Sequence, residues 1–320
     1  MSFSGEVKEE LSRQYPAARH CQIAEVAAML CLNGRVARNE AGEFSIIFST
    51  ENESVAKKYF TLLRKTFKID TEIFSGNSQG PKRGNTYSVS VSDHEKMMQI
   101  LKATKMLSPE LERTGSFPLA SELILQQNCC RRAYLRGAFL MSGSISDPEK
   151  FYHFELVCSD QKQAGQLKEL IRGFSVDAKV VERKKYYVVY VKEGAQIVEL
   201  LGLMGAGISL MKLENVRILK EMRNSVNRKV NCETANINKT VHAALKQMED
   251  IRYIRDMRGL SSLPEGLEEI ARLRLEFPEA TLKELGMMLK PPVGKSGVNH
   301  RLRKISEIAD GLKGNKEELL

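Results

Sequence analysis

The sequence predicts an α+β protein in which a duplicated region of helices and strands precedes an all-helical C-terminal region. Two helix-like runs, Ala24–Gly34 and Arg131–Gly143, are small and apolar on one side and end at glycines that lie 109 residues apart. The patterns that follow the first run return in the same order after the second. A period of this length is too long for a solenoid repeat, so the sequence indicates a duplicated half-domain.

Each predicted half opens with one of these runs. Strand patterns follow at 44–48, 87–91, 153–158 and 186–191, longer helices at 55–67 and 164–174, and closing helices at 95–101 and 195–201. Each opening run carries a small residue, Ala28 or Gly137, that allows another helix to approach closely, and its final glycine suits a helix C-cap. We therefore expect the two opening helices to pack against each other.

After Gly207 the pattern is helical without strands. The polar stretch Asn231–Val241 resembles a loop, and the Gly-, Ser- and Pro-containing stretch Asp256–Gly266 resembles a domain boundary. The predicted division is an N-terminal helix (1–20), a first half (21–106), a second half (107–207), a helical linker (208–259) and a C-terminal domain (260–320).

Composition narrows the classes of function. The 320 residues are 42% hydrophobic and 28% charged, with a formal net charge of +9. An excess of basic over acidic residues is compatible with binding to nucleic acid. The first residues lack the apolar segment of a signal peptide, and no apolar run is long enough to cross a bilayer. We therefore expect a cytoplasmic protein without a membrane partner.

The six cysteines form no Cys-x-x-Cys pair, and no histidine lies at ligand spacing in the sequence. This argues against a zinc site, and no metal or other cofactor is expected. Reduced, mostly buried thiols are the prediction. The vicinal pair Cys129 and Cys130 is also compatible with redox sensitivity.

Basic residues recur between the paired strands of each half. Lys82 and Arg83 lie in the Gly-, Ser- and Asn-rich stretch Ser75–Thr86, and Arg183, Lys184 and Lys185 precede the strand at 186–191. Duplicated basic hairpins are compatible with contacts to a DNA backbone. They are equally compatible with charges that keep sheet edges soluble.

The C-terminal residues have the pattern of a helix-turn-helix unit. Helices are predicted at 264–275, 281–289 and 296–308, with prolines after Lys290 that end the second helix. Thr281 and Glu284 form a capping-box pattern, and Gly286 falls where such units need a small side chain. From Thr281 to Lys304 the net charge is +5.

On the third predicted helix, Val298, Leu302 and Ile305 share one face, which is expected to point inward. Polar side chains on the remaining faces suit a major groove, since Asn and Arg can read base edges and Lys or Ser can contact phosphates. A solvated basic helix would carry the same residue types, but the combined pattern predicts binding to double-stranded DNA. The predicted DNA-binding residues are Lys295, Ser296, Asn299, His300, Arg301, Arg303 and Lys304.

The duplicated region resembles the tandem LAGLIDADG homing endonuclease fold, in which two αββαββα halves form a saddle about a pseudo-twofold axis. Leu135–Gly143 and Val26–Gly34 match its motif. In that family the acid before the final glycine binds the catalytic metal. The matching positions here are Asn33 and Ser142, which are neutral, so strand cleavage is not expected. Glu40 and Asp147 lie downstream and have the character of solvated loop carboxylates.

A degenerate LAGLIDADG pair followed by a helix-turn-helix resembles the WhiA family of sporulation and cell-division transcription regulators. The resemblance covers nearly the whole chain and is carried by residues 131–156, 231–240 and 281–305. It implies a cytoplasmic, nucleoid-associated protein that binds promoter DNA and contacts other transcription or division proteins. An active nuclease and a protein-interaction scaffold with accessory DNA binding are the competing hypotheses.

Overall fold

The computed structural model describes residues 2–38, 44–77, 85–108, 111 and 114–317. The chain divides into two compact units, residues 1–221 and 222–320. The five-part division predicted from the sequence stays a prediction.

The first half of unit 1 follows the predicted order of helices and strands. Its four strands form one antiparallel sheet in the order β1-β2-β4-β3. The elements are α1 (Phe3–Ser12), α2 (Arg19–Asn33), β1 (Gly34–Arg38), β2 (Phe44–Thr50), α3 (Glu53–Phe67), β3 (Ile73–Asn77), β4 (Asn85–Val91) and α4 (His94–Thr104).

The second half repeats this arrangement. Its sheet has the equivalent order, β5-β6-β8-β7, so the αββαββα duplication is confirmed. The elements are α5 (Asn128–Ser142), β5 (Gly143–Ile145), β6 (Phe154–Cys158), α6 (Gln161–Arg172), β7 (Lys179–Arg183), β8 (Tyr186–Val191) and α7 (Gly194–Met204).

Local sequence explains where several of these helices begin. Asn52, Asp93 and Asp160 each accept a hydrogen bond from a backbone N–H in the first turn of α3, α4 and α6, respectively. Such caps satisfy donors that a helix leaves unpaired. In the strands, alternate side chains point to opposite faces of the sheet. Phe154, Leu156 and Cys158 of β6 are buried, so this face of the sheet packs against the helices.

Helices α2 and α5 pack directly against each other, as predicted. A Cβ atom on Gly137 would lie 2.7 Å from the carbonyl oxygen of Glu25 and 2.9 Å from the Cβ atom of Ala28. Both small residues singled out in the sequence therefore meet at the same crossing point. The glycine is needed because the backbone of the partner helix occupies the space of a side chain.

The two glycines that end these helices hold C-cap positions, but not through a left-handed backbone. Gly34 has φ −74° and Gly143 has φ −80°, both in the extended region. A Cβ atom on Gly143 would lie 2.6 Å from the carbonyl oxygen of Phe139, and one on Gly34 would lie 2.7 Å from that of Leu30. Each chain passes directly from helix to strand, and a side chain at that bend would collide with the last helical turn.

A buried ionic cluster joins four helices of unit 1. Lys58 donates hydrogen bonds to Glu25 Oε1 at 2.6 Å, to the Leu11 carbonyl at 2.7 Å and to the Gln14 carbonyl at 2.8 Å. The Glu25 carboxylate also accepts two hydrogen bonds from Arg136, at 3.0 and 3.1 Å. Burial lowers the pKa of Lys58 to about 8, and the Glu25 charge opposes that effect. The ammonium therefore remains charged at neutral pH.

One prediction about helix α8 (Gly207–Arg258) was wrong. The stretch Asn231–Val241, expected to be a loop, is helical. It contains no Gly or Pro, and Asn or Thr each cost a helix only about 0.7 kcal/mol relative to Ala, so helix on both sides continues through it. Thr240 satisfies its hydroxyl by donating to the Asn236 carbonyl at 2.9 Å. Neither α8 nor another described helix has an apolar segment that could cross a membrane.

Unit 2 contains the C-terminal part of α8 and the three predicted helices. These are α9 (Glu265–Glu276), α10 (Leu282–Met288) and α11 (Lys295–Glu317), preceded by a 3₁₀ turn at Leu260–Ser262. Ile251 and Ile254 of α8 belong to the same buried cluster as the apolar residues of α9 to α11. The end of α8 is therefore part of the core of this unit.

Gly137→Ala should lower the free energy of unfolding of unit 1 by about 1–3 kcal/mol, because the added methyl group meets a backbone oxygen that has little room to move. Gly165→Ala is the matched control, since a Cβ there meets nothing within 4 Å. In the interior of α6 it should stabilise by about 0.5–1 kcal/mol. Chemical denaturation followed by circular dichroism measures both, and equal effects would contradict the close packing.

Lys58→Ala should destabilise unit 1 by about 3–5 kcal/mol, because it removes a fully buried partner of Glu25 and the ammonium that donates to the carbonyls of Leu11 and Gln14. Lys57→Ala is the matched control on the neighbouring residue. Lys57 also lies 2.6 Å from a carboxylate, that of Glu53, but its side chain is 64% exposed. Loss of that surface pair should change stability by less than about 1 kcal/mol. Similar losses in the two variants would refute a special role for burial.

Candidate nucleic-acid interface

The start of α10 is fixed by the capping box that the sequence predicted. Thr281 Oγ1 accepts a hydrogen bond from the Glu284 N–H at 3.3 Å, and Glu284 Oε2 accepts one from the Thr281 N–H at 2.7 Å. The hydrogen bond from the Thr281 backbone is the main cause of a lowered pKa at Glu284. These reciprocal bonds define where a helix of only seven residues begins.

Gly286 determines how closely the turn after α10 can pack. A Cβ atom at this position would lie 2.1 Å from the carbonyl oxygen of Val293 and 3.1 Å from Val298 Cγ2. The Val293 N–H donates to the Gly286 carbonyl at 2.8 Å, which closes the turn. The small residue predicted at this position thus lets α11 pack against α10.

The inward face of α11 is the predicted one, extended by one residue. Val298, Leu302, Ile305 and Ala309 are each no more than 1% exposed. They pack with Leu285 and with residues of α9 in one apolar cluster. This burial fixes which side of α11 faces solvent.

Six of the seven predicted DNA-binding side chains lie on the solvent-exposed sides of α11. They are Lys295, Ser296, Asn299, His300, Arg303 and Lys304. Among the described residues, no carboxylate forms an ion pair with Arg303 or Lys304, although Glu307 lies one turn away. The face therefore presents unneutralised cations beside an amide and an imidazole, which is the chemistry that reads base edges and phosphates.

Arg301 is placed differently from the other six. It is half-buried, and its Nη1 atom donates to the Gly266 carbonyl in the first turn of α9 at 3.3 Å. Its guanidinium therefore connects α11 to α9. Its assignment as a DNA-binding residue stays a prediction.

Arg274 is a positioning residue that sequence reasoning missed. Its side chain is 3% exposed and donates to Gln247 of α8 at 3.1 Å and to the carbonyls of Pro278 and Ala280 at 3.3 and 2.7 Å. Burial lowers its pKa. These bonds hold the turn that leads into α10. The signal in the sequence is its spacing, because Arg274 falls at i+7 from Leu267 on the apolar face of α9, whereas Arg272 lies on the exposed face.

A cavity of about 840 Å³ lies beside α11 within unit 2. Lys295 and Asn299 line one side of it, and Lys239 and Thr240 of α8 line another. Thus two of the predicted residues face a concave surface, whereas the others lie on more open parts of the helix.

The predicted accessory basic residues of the second half lie at the turn between β7 and β8. Arg183, Lys184 and Lys185 are all exposed. Arg183 Nη1 lies 3.5 Å from Glu155, and Lys185 Nζ lies 5.6 Å from the centre of the Tyr186 ring. Lys82 and Arg83, the corresponding residues of the first half, fall outside the described residues.

The two positions that match the nuclease acids carry no charge and are bonded to backbone. Asn33 Nδ2 donates to the Ser49 carbonyl at 2.5 Å, and Ser142 Oγ donates to the Ala138 carbonyl at 3.3 Å. The downstream carboxylate Asp147 is exposed and accepts a hydrogen bond from the Glu149 N–H at 3.0 Å. Neither matching position offers the ionised oxygen that a hard cation at a phosphodiester needs.

Three family models match the chain in sequence order. The WhiA N-terminal LAGLIDADG-like domain matches residues 19–107, the WhiA LAGLIDADG-like domain residues 131–223 and the WhiA C-terminal HTH domain residues 226–309. The chain belongs to the WhiA family. The family resemblance read from the sequence is thereby confirmed, and α9, α10 and α11 as far as Ala309 lie within the match to the helix-turn-helix domain.

Individual WhiA-family relatives match over nearly their whole length. A protein of Lachnoclostridium phytofermentans named probable cell division protein WhiA is 55% identical over 313 residues, which cover 98% of this chain and 100% of the relative. A protein of the same name from Alkaliphilus oremlandii is 49% identical, with 99% of each chain covered. Full-length DUF199/WhiA from Thermatoga maritima is 24% identical over 97% of this chain and 98% of its own, with a TM-score of 0.58, so it shares the fold.

Gly286→Ala should destabilise unit 2 by about 3 kcal/mol, because the methyl group would overlap a backbone oxygen of the turn. Gly311→Ala is the control. Gly311 lies on α11, and an added Cβ there meets nothing within 4 Å, so this variant should not lose stability. Hydrogen exchange read by mass spectrometry resolves the two units, so faster exchange confined to the core of unit 2, which includes the end of α8, is the expected result. Unchanged exchange in Gly286→Ala would contradict the close approach of this turn.

Proposed function

We propose that this chain is a sequence-specific DNA-binding regulator of transcription that acts on cell-division and sporulation genes. Helix α11 enters the major groove of promoter DNA, and the bacterial nucleoid is its place of action. The observation that carries the proposal is the exposed face of α11, where cationic and hydrogen-bonding side chains stand opposite a fully buried apolar face.

The residue types on this face support a division of roles. Arg303 and Asn299 can form paired hydrogen bonds with guanine and adenine edges, respectively. Lys295, Ser296 and Lys304 have the chemistry of phosphate contacts, which set the position of a helix in the groove without reading sequence. The capping box and Gly286 support this role indirectly, since they fix α10 and the turn that present α11.

The proposal includes the absence of nuclease activity. Asn33 and Ser142 supply no negative charge to hold Mg²⁺ or to activate water at a phosphodiester. Each side chain donates a hydrogen bond to a backbone carbonyl, so the oxygen that remains on either one is a neutral ligand. The chain therefore uses the LAGLIDADG-like region for binding and not for cleavage.

The LAGLIDADG-like region then has an accessory role. Arg183, Lys184 and Lys185, with Lys82 and Arg83, add phosphate contacts that raise affinity through effective concentration and increase its dependence on salt. The second candidate function is a protein-interaction scaffold in cell division, in which these basic residues meet acidic protein partners. The name of the relatives, probable cell division protein, favours cell division as the process in either case.

Arg303→Ala in the full chain should weaken binding to a selected promoter duplex by about 1–3 kcal/mol and relax the preference for one base, because a bidentate contact is lost. Arg272→Ala is the charge-matched control. Arg272 lies on α9, is 65% exposed and pairs with Glu268, so its removal should leave sequence preference intact. Equilibrium binding across a salt series, on fragments enriched by selection from genomic DNA, measures both effects.

The same assay separates the competing functions. Equal binding by Arg303→Ala and the unmodified chain would remove α11 from the interface and favour the scaffold. Incubation of the complex with Mg²⁺ tests the active-nuclease hypothesis. Any strand cleavage would contradict the proposal that the chain is not a nuclease.

A further inference from the structure

Two pairs of side chains that are able to bind a metal, distant from each other in sequence, come together at the N-terminal ends of α2 and α5. His20 and Cys21 lie in the first turn of α2, and Cys129 and Cys130 lie in the first turn of α5. Their ligand atoms all lie within 4.8 Å of one another. We propose that these residues form a tetrahedral Zn²⁺ site that joins the two halves of unit 1.

The distances match those of a tetrahedral site. His20 Nδ1 lies 3.1 Å from Cys130 Sγ, 3.4 Å from Cys21 Sγ and 4.0 Å from Cys129 Sγ. Bond lengths of about 2.0 Å to nitrogen and 2.3 Å to sulfur, at tetrahedral angles, place nitrogen and sulfur about 3.5 Å apart and two sulfurs about 3.8 Å apart. A cation at the centre of the four atoms therefore needs only small movements of side chains.

Hydrogen bonding alone does not explain why three cysteine sulfurs lie close to His20 Nδ1. A ring nitrogen carries either one N–H or one lone pair, so it has one strong hydrogen bond to offer. Three sulfur atoms surround Nδ1 at these distances, and a thiol is a weak donor and acceptor. A metal ion, by contrast, is satisfied by all four atoms at once.

The surroundings suit a structural zinc site. Cys21 and Cys130 are buried with Ala24 and Ala133 in a small apolar cluster, which keeps water from the inner side of the site. Three thiolates and one imidazole complete the coordination of zinc and leave no open position for catalysis.

The ligands obey the same repeat as the fold. His20 and Cys129, and likewise Cys21 and Cys130, lie 109 residues apart, the spacing of Gly34 and Gly143. Each half therefore contributes an equivalent pair of residues to the site. It is at the opposite end of α2 from Asn33, about 20 Å away at 1.5 Å per helical residue, and so is distinct from the position of the nuclease metal.

The test uses the full chain, purified without chelator and then dialysed against zinc. Elemental analysis should find one zinc ion per chain, and Co²⁺ should give the thiolate charge-transfer and intense visible bands of a tetrahedral sulfur-rich site. His20→Ala, Cys21→Ser and Cys130→Ser should lose the metal. Cys232→Ser is the control, because Cys232 is exposed and belongs to α8, and it should retain one ion.

Alkylation of the unmodified chain provides a test that does not depend on the folding of variants. Cys129 and Cys232 are both exposed, so without metal both should react with N-ethylmaleimide. Zinc should protect Cys129 and leave Cys232 reactive, and a chelator should remove that protection. Absence of bound zinc, equal reactivity of Cys129 with and without zinc, or a disulfide within the cluster of the purified protein would each overturn the proposal.

Discussion

The structure of unit 1 depends on the direct contact between α2 and α5, because the two halves meet there. At Gly137 the backbones approach so closely that a methyl group has no room. Next to this crossing, Glu25 of α2 holds Arg136 of α5 and Lys58 of α3 in a buried cluster. Removing charges from water is costly, so this cluster is stable only when all three groups are present and hydrogen-bonded. Packing and electrostatics thus specify one arrangement of the halves.

The same pair of helices carries different chemistry at its two ends. At the C-terminal ends, Asn33 and Ser142 are the residues that match the acid positions of the resembled motif, and both bond to backbone. At the N-terminal ends, the proposed zinc ligands converge. In the resembled nucleases the metal at the first position performs a reaction, whereas a closed four-ligand site at the second would stabilise the joint between the halves.

Unit 2 presents α11 through a few local constraints. The capping box sets the beginning of α10, Gly286 allows the following turn to close, and four apolar side chains fix the rotation of α11. Arg274 adds a constraint that is visible only in three dimensions, since it binds two carbonyls of the turn before α10. Together they leave a cationic face exposed in a WhiA-family helix-turn-helix domain.

The sequence by itself determined the duplication, the helix-turn-helix pattern and the inward face of α11, because periodic burial and capping are short-range properties. The loop predicted at Asn231–Val241 was wrong, because the low helix propensity of its polar residues is too weak to interrupt a helix that contains no Gly or Pro there. The tertiary structure alone revealed the contacts of Lys58, the clamp of Arg274 and the group of His20, Cys21, Cys129 and Cys130. The cysteines showed no zinc spacing because their pairs are 109 residues apart, and only the packing of two helices brings such distant ligands within bonding distance.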